Sequence, residues 1–269
     1  MARYLITGGC GFIGRALTQE LKLRGAEVRI LDCLLPQVHG DRPELDAEVE
    51  VIAADIRDPD AVARATTGVD GGFHLAAEVG VGQSMYEIGR YVGANDLGTA
   101  VLLEALIDTP VRRLVVASSM SVYGEGLYRD QSGNRVESAG RRRKDLSRGT
   151  WEPMDAVGAP LEPMATDEQK PVALASIYAL TKFVQERAAL IYGEAFRAEI
   201  VALRLFNVFG PGQALSNPYT GVLANFGSRL EHGQRPTVFE DGRQKRDFVP
   251  VRDVARAFRP AMETEAAAR

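Results

Sequence analysis

Tyr178 and Lys182 lie four residues apart, downstream of an apolar run that ends in Ser118-Ser119. On a helix that spacing is about one turn, so both side chains leave the same face. The phenol can give or take a proton. With an ordinary pKa of about 10 it is a poor base at neutral pH, and a cation close by lowers that value. A second group, Gly8-Gly9-Cys10-Gly11-Phe12-Ile13-Gly14, contains Gly9-x-Gly11-x-x-Gly14. Glycines in that pattern allow a tight turn and bring backbone N–H groups up to a pyrophosphate at the positive end of a helix. A proton-transfer pair and a dinucleotide loop in one chain imply a site that moves a proton and a hydride together. An exposed helix pair and a plain glycine turn are the bland alternatives, and the surrounding elements decide between them.

Apolar runs alternate with amphipathic segments from the first residues onward. The pattern predicts strands over 4–7, 27–31, 49–53, 72–76, 113–117 and 199–205. It predicts helices over 12–23, 58–65, 91–106 and 176–196. This alternation implies an α/β fold, a Rossmann-type doubly wound parallel sheet over residues 1–206. The glycine loop falls between the first strand and the first helix, and Asp32 falls at the tip of the second strand. A carboxylate there can accept both ribose hydroxyls of NAD and would repel the extra phosphate of NADP. Asp55 and Ile56, after the third strand, are placed for an adenine contact, although a loop acid and a core aliphatic would read the same way. Between 124 and 175 the periodicity fails in a stretch rich in Gly, Pro, Arg and Asp, which reads as an inserted loop or lid. Residues 207–269 read as a smaller, incomplete substrate-binding region.

The bulk numbers narrow the classes further. At 269 residues, 45% hydrophobic and 25% charged, with a net charge of -4, the chain has the composition of an ordinary globular protein and none of the basic excess of a nucleic-acid binder. The one basic run, Arg141-Arg142-Arg143-Lys144, reads as a solvated loop. Two cysteines and three scattered histidines offer no metal-ligand spacing, so no metal is expected. The sequence shows no charged leader ahead of an apolar run and no long apolar span. The expectation is a cytoplasmic protein without membrane association.

Further motifs carry a resemblance. They are His74-Leu75-Ala76-Ala77, Ser118-Ser119-Met120-Ser121-Val122-Tyr123-Gly124, Tyr178-x-x-x-Lys182, Arg204-Leu205-Phe206-Asn207-Val208-Phe209-Gly210-Pro211-Gly212 and Arg246-Asp247-Phe248-Val249. With the glycine loop they run in order along the chain, which resembles the extended short-chain dehydrogenases/reductases of the nucleotide-sugar epimerase and dehydratase type. The resemblance implies NAD as cofactor, held by Gly8, Gly11, Phe12, Ile13, Asp32, Asp55, Ile56, Leu75, Ala76, Ala77, Tyr178 and Lys182. It implies Tyr178 as acid/base, Lys182 as the cation that holds the nicotinamide ribose and lowers the tyrosine pKa, and Ser119 as the hydrogen-bond partner of the reacting sugar oxygen. Ser84, Ser119, Asn207, Val222 and Arg246 are the implied contacts to a nucleotide-diphosphate sugar. Members of the family often form homodimers through the helix following Asn95 and the helix carrying Tyr178.

Within that family, dehydratases carry an Asp-Glu pair right after the catalytic Ser/Thr, where this chain has Met120 and Ser121. Dehydration is therefore disfavoured against epimerisation at sugar carbon 4. The stretches 78–86, 124–128 and 217–222 are similar to those of bacterial TDP-L-rhamnose 4-epimerases, which make TDP-6-deoxy-L-talose. An apolar wall of Val79 and Met85 would suit a deoxysugar methyl. UDP-hexose epimerisation, an NAD-dependent sugar dehydrogenase or reductase, and a non-catalytic NAD-holding scaffold are the alternatives. Family members also continue well past the helix that begins near Val251, which is why the C-terminal region reads as partial.

Overall fold

The computed structural model describes residues 1–40, 46–213 and 221–268. Six strands, β1 (Arg3–Thr7), β2 (Glu27–Asp32), β3 (Glu50–Ala53), β4 (Gly71–His74), β5 (Arg113–Ser119) and β6 (Glu199–Leu205), form one sheet. Every pairing is parallel, in the order β3-β2-β1-β4-β5-β6. A parallel sheet covered on both faces needs strands that are apolar on both sides, and β5 is buried at each of its seven positions. Alternate residues enter opposite layers. Leu5 and Leu114 join one core with α2 (Pro59–Thr66), α3 (Gly98–Asp108) and α4 (Ile177–Phe196), while Ile6 and Val115 join the other.

That second layer is built by α1 (Phe12–Lys22) and α6 (Val251–Glu263), with α5 (Val222–Glu231) lying between them in sequence. Phe258 of α6 is fully buried, its ring edge-on to Phe73 with 6.0 Å between centroids. This helix thus packs its apolar face against β4, β5 and β6. The strand order reverses between β1 and β4, and their carboxyl ends open the crevice in which folds of this topology hold ligands.

Three departures from the sequence expectations have physical causes. The helix expected over 91–106 is three pieces: Ile88–Tyr91, a π-helical turn Val92–Leu97, and α3. A π turn widens the helix by one residue, and here it carries Asn95 fully inside. The 124–175 segment holds a three-stranded antiparallel sheet of Leu127–Arg129, Arg135–Val136 and Glu162–Met164, with a short helix Arg143–Leu146. Its strands are only two or three residues long, too short to leave an alternating pattern. The basic run is not simply solvated: Arg141 pairs with Glu125 at 2.9 Å and Glu240 at 2.8 Å, joining this segment to the chain near residue 240. Past β6, Asn207–Phe209 pairs in parallel with Phe248–Pro250.

Candidate active site

At the carboxyl ends of β1, β2, β4 and β5 lies a cavity of about 710 Å³. The glycine loop forms one wall. Gly8 has φ +71°, and a Cβ there would stand 2.7 Å from the Ala76 nitrogen; one on Gly14 would stand 2.5 Å from the Gly9 Cα. The loop therefore packs flush on the chain after β4, and α1 follows Gly11, an N-cap with no side chain, which leaves its first N–H groups directed at the cavity. Asp32, buried at the end of β2, accepts hydrogen bonds from the backbone N–H of Cys10 (3.0 Å) and Leu34 (2.9 Å), and His39 Nε2 lies 3.4 Å away. Asp55 is gripped by Arg57 through its side chain at 2.6 and 2.9 Å, which holds its carboxyl below the usual carboxylate range.

Opposite the loop stand the carboxyl end of β5 and the first turns of α4. Ser176 caps α4 by accepting from the N–H of Ala179 at 3.0 Å, which fixes the register that turns both Tyr178 and Lys182 into the cavity. Burial raises the Tyr178 pKa, and the neighbouring Ser119 hydroxyl offsets part of that rise. Among the protein's own groups the expected effect of Lys182 on that pKa does not appear. Instead Lys182 is buried and donates to Gln185 Oε1 at 2.7 Å. Burial depresses its pKa to about 7, against the favourable charge of Glu186.

Beneath the pair lies a polar floor. His74 is flanked by Thr7 Oγ1 (2.7 Å) and Thr99 Oγ1 (2.9 Å), and burial together with the Lys182 charge pushes its pKa down to about 3, so it is neutral. Gln185 Nε2 donates to Thr99 Oγ1 (2.9 Å). Asn95 grips both backbone groups of Glu78, accepting from N–H at 2.7 Å and donating to C=O at 3.1 Å, and donates to Thr181 Oγ1 at 2.9 Å. Glu186, also buried, accepts from Ser118 Oγ (2.6 Å) and from Arg204 (2.6 and 2.9 Å), locking α4 to β5 and β6.

The profile of the NAD dependent epimerase/dehydratase family matches residues 4–269. The chain belongs to that family. It is 35% identical over 263 residues to a dTDP-L-rhamnose 4-epimerase of Burkholderia thailandensis, covering 95% of this chain and 71% of that protein. It is 32% identical over 256 residues to a putative UDP-glucose 4-epimerase of Methanocaldococcus jannaschii, covering 94% and 71%. Among solved structures it is similar to a Thermus thermophilus UDP-glucose 4-epimerase in complex with NAD, with a TM-score of 0.74 and 30% identity over 96% of this chain and 74% of the other. The chain is an NAD-dependent enzyme of the epimerase/dehydratase class, on the Rossmann-type sheet that its alternating elements imply.

The residues present fit the family's cofactor: an uncapped helix start for a pyrophosphate, a carboxylate at the end of β2 for a ribose, and a flush glycine loop between them. Every residue singled out in the sequence for NAD lies on this cavity wall, as do Ser119, Asn207 and Val222. Among the residues singled out for substrate, two lie elsewhere. Ser84 is fully buried, and its hydroxyl donates to Val81 O (2.7 Å) and accepts the N–H of Tyr178 (3.1 Å), so it anchors the tyrosine's backbone. Arg246 is exposed and donates to Lys245 O. The Val79 and Met85 wall does not form, because Met85 is half exposed and off the cavity. The 217–220 part of the rhamnose-epimerase-like stretch lies outside the described residues.

Asn95, Gln185 and Glu186 do not stand out by type and spacing alone. A signal is nonetheless present: Asn95 and Thr99, Tyr178 and Lys182, and Thr181 and Gln185 are polar pairs one helical turn apart on faces that otherwise bury apolar groups.

Proposed function

We propose that the protein epimerises a nucleotide-diphosphate sugar at carbon 4 through a transient keto sugar, with TDP-L-rhamnose converted to TDP-6-deoxy-L-talose. The observation that carries this reading is the meeting of Ser119, Tyr178 and Lys182 on the wall facing the glycine loop, with Met120 and Ser121 beside them. Tyr178 takes the proton of the carbon-4 hydroxyl and later returns one to the reduced oxygen. Ser119 orients that oxygen, and Lys182 supplies a cation beside the tyrosine and the nicotinamide ribose. The nicotinamide of a bound NAD would supply the hydride acceptor for carbon 4 and, as NADH, the donor that returns the hydride to the other face of the sugar. Neither Met120 nor Ser121 can act as acid or base at neutral pH, so the keto sugar has no group placed to eliminate water.

On the substrate side, Asn207 and Val222 line the cavity. Asn207 also holds the Asp247 carbonyl at 2.9 Å, and Arg246, one residue away and off the cavity wall, would have to turn toward it to meet a diphosphate. The sugar and the thymidine nucleotide are supported by the similarity to the Burkholderia protein named as a dTDP-L-rhamnose 4-epimerase. A cytoplasmic homodimer is part of the same reading; among the described residues no helix is long and apolar enough to cross a membrane.

Proton NMR of the protein with NAD and an equal mixture of TDP-L-rhamnose and UDP-glucose tests the proposal. New anomeric signals of a 6-deoxytalose, without net NADH, are the expected result. Turnover of the UDP sugar alone overturns the substrate, and net NADH production overturns epimerisation.

A further inference from the structure

Gln185 has no part in the reaction described above, yet it is the side chain that holds the Lys182 ammonium. Lysine can only donate, so the atom facing it at 2.7 Å is the carboxamide oxygen. The amide nitrogen must then face the other way, where it meets Thr99 Oγ1 at 2.9 Å, the Ala76 carbonyl at 3.3 Å and the edge of His74 at 3.0 Å. Thr99 gives its own proton to the Asn95 carbonyl at 2.5 Å, so its oxygen is free to accept. Turning the carboxamide over would set an NH₂ against an ammonium and a carbonyl against a carbonyl. Its orientation is therefore fixed whichever ring nitrogen of His74 carries the proton.

We infer that Gln185 is the positioning residue of the Tyr178/Lys182 pair: a neutral acceptor, locked from the cavity floor, that sets where the Lys182 amine stands and how readily it carries charge. This rests on the reading of Tyr178 and Lys182 as the catalytic pair. The choice of an amide has a chemical consequence. A carboxylate in its place would neutralise the lysine and fasten it as an ion pair, and an apolar residue would strip a buried ammonium of its side-chain acceptor. The amide holds the amine while leaving its charge to the cavity.

The surroundings of Lys182 leave Gln185 in control. The titratable groups near it are His74 from β4, which is neutral, Tyr178 on its own helix, and Glu186, whose carboxylate is taken up by Arg204 of β6 and by Ser118. Ser119 from β5 and Thr99 from α3 bring no charge.

The chain has five lysines, Lys22, Lys144, Lys170, Lys182 and Lys245, so lysine-selective ¹³C labelling gives a spectrum in which each can be titrated separately. The expected result is a Lys182 midpoint well below the ordinary lysine value of about 10.4, at about 7. Q185L lowers it further and Q185E raises it, each by about one pH unit, the size expected for a hydrogen bond to a charged group. A residue that merely fills space would not move the midpoint in opposite directions in the two variants. A Lys182 midpoint unmoved in both, or moved the same way in both, overturns the inference. Should Q185L fail to fold, Q185M, which also lacks the acceptor but keeps the unbranched shape, takes its place and is expected to lower the midpoint. No sugar enters the titration, so a failed sugar assay leaves this result standing, and an unmoved lysine leaves the epimerase reading standing.

Discussion

At the scale of single residues, Tyr178 gathers its support from three directions. Ser84 holds its backbone N–H, Tyr91 lies edge-on at 6.5 Å between ring centroids, and Ser119 lies close enough to its hydroxyl to offset part of the pKa rise that burial causes. The ring is thus fixed by contacts that do not involve its oxygen, which makes removal of that oxygen a clean experiment. Y178F keeps the ring, the edge contact and the backbone anchor. It is expected to lower turnover by about 10²- to 10⁴-fold, the range for loss of a positioned acid/base. Initial rates measure that loss, and NAD affinity by calorimetry is expected to change little, because Gly11, Asp32 and the start of α1 are untouched. A rate within about threefold of wild type would remove Tyr178 from the role of acid/base.

Elements of this fold are tied to one another by two buried arginines that act alike. Arg29 of β2 donates to the carbonyls of Arg64, Ala65 and Thr67 at the end of α2, and Arg113 of β5 donates to those of Ala261, Met262 and Thr264 at the end of α6. Each guanidinium satisfies carbonyls that a helix leaves unpaired and sits at the negative end of its dipole. Arg113 is 1% exposed and also meets Glu199 at 2.7 Å. R113A leaves those buried carbonyls without their partner and Glu199 with only the longer Arg112 contact at 3.7 Å, so it is expected to cost about 3 kcal/mol. Urea unfolding measures the cost, and hydrogen exchange is expected to rise first in α6. A loss below about 1 kcal/mol would mean that α6 is held by its apolar face alone.

The same elements show what a sequence can and cannot disclose. Strands such as β5 and the helix Ile177–Phe196 are legible because burial on two faces, or a cap at Ser176, writes a pattern into consecutive residues. The cofactor wall is legible for a related reason. Glycines at 8, 11 and 14 and an acid at 32 seldom fall together in one strand-turn-helix unit unless a dinucleotide must fit there. The π turn at Val92–Leu97 is not legible, because one extra residue per turn shifts the apolar pattern by less than its own irregularity. Nor are the inward directions of Gln185 and Arg113, whose partners lie as far as 151 residues away in the chain. Arg141 shows the opposite failure: a charge run that reads as solvated is drawn into Glu125 and Glu240 by a fold the local sequence does not reveal.

For the molecule as a whole, the floor of the cavity makes stability depend on pH in a direction that the pI of about 5.6 would not suggest. His74 has its folded pKa depressed from 6.5 to about 3, so across that window the unfolded chain binds the extra proton and stability falls as pH falls. Lys182 is depressed from 10.5 to about 7. Below that value it is charged in both states and the full cost of burying that charge is present. Between about 7 and 10.5 the unfolded chain binds more protons, so stability rises with pH. Asp96 runs the other way: burial raises its pKa from 3.8 to about 6, so it costs stability as pH rises through that window and no further above it. From about pH 6 upward the histidine and the lysine therefore act unopposed by it, and the slope from each has a ceiling of about 1.4 kcal/mol per pH unit. The expected curve of unfolding free energy climbs from about pH 6 to about pH 9, well above the pI, until the Cys10 thiol, raised by burial from 9.0 to about 11, begins to oppose the lysine. K182M is expected to be more stable than the parent at about pH 6, by a margin that shrinks toward about pH 9, while losing turnover at both. H74Q is expected to gain stability relative to the parent as pH falls from about 6.5 to about 4. Urea titrations at half-unit pH steps on the three proteins measure this. A parent curve that peaks at the pI, or a K182M margin that grows with pH, would show that Lys182 does not carry its charge into the fold.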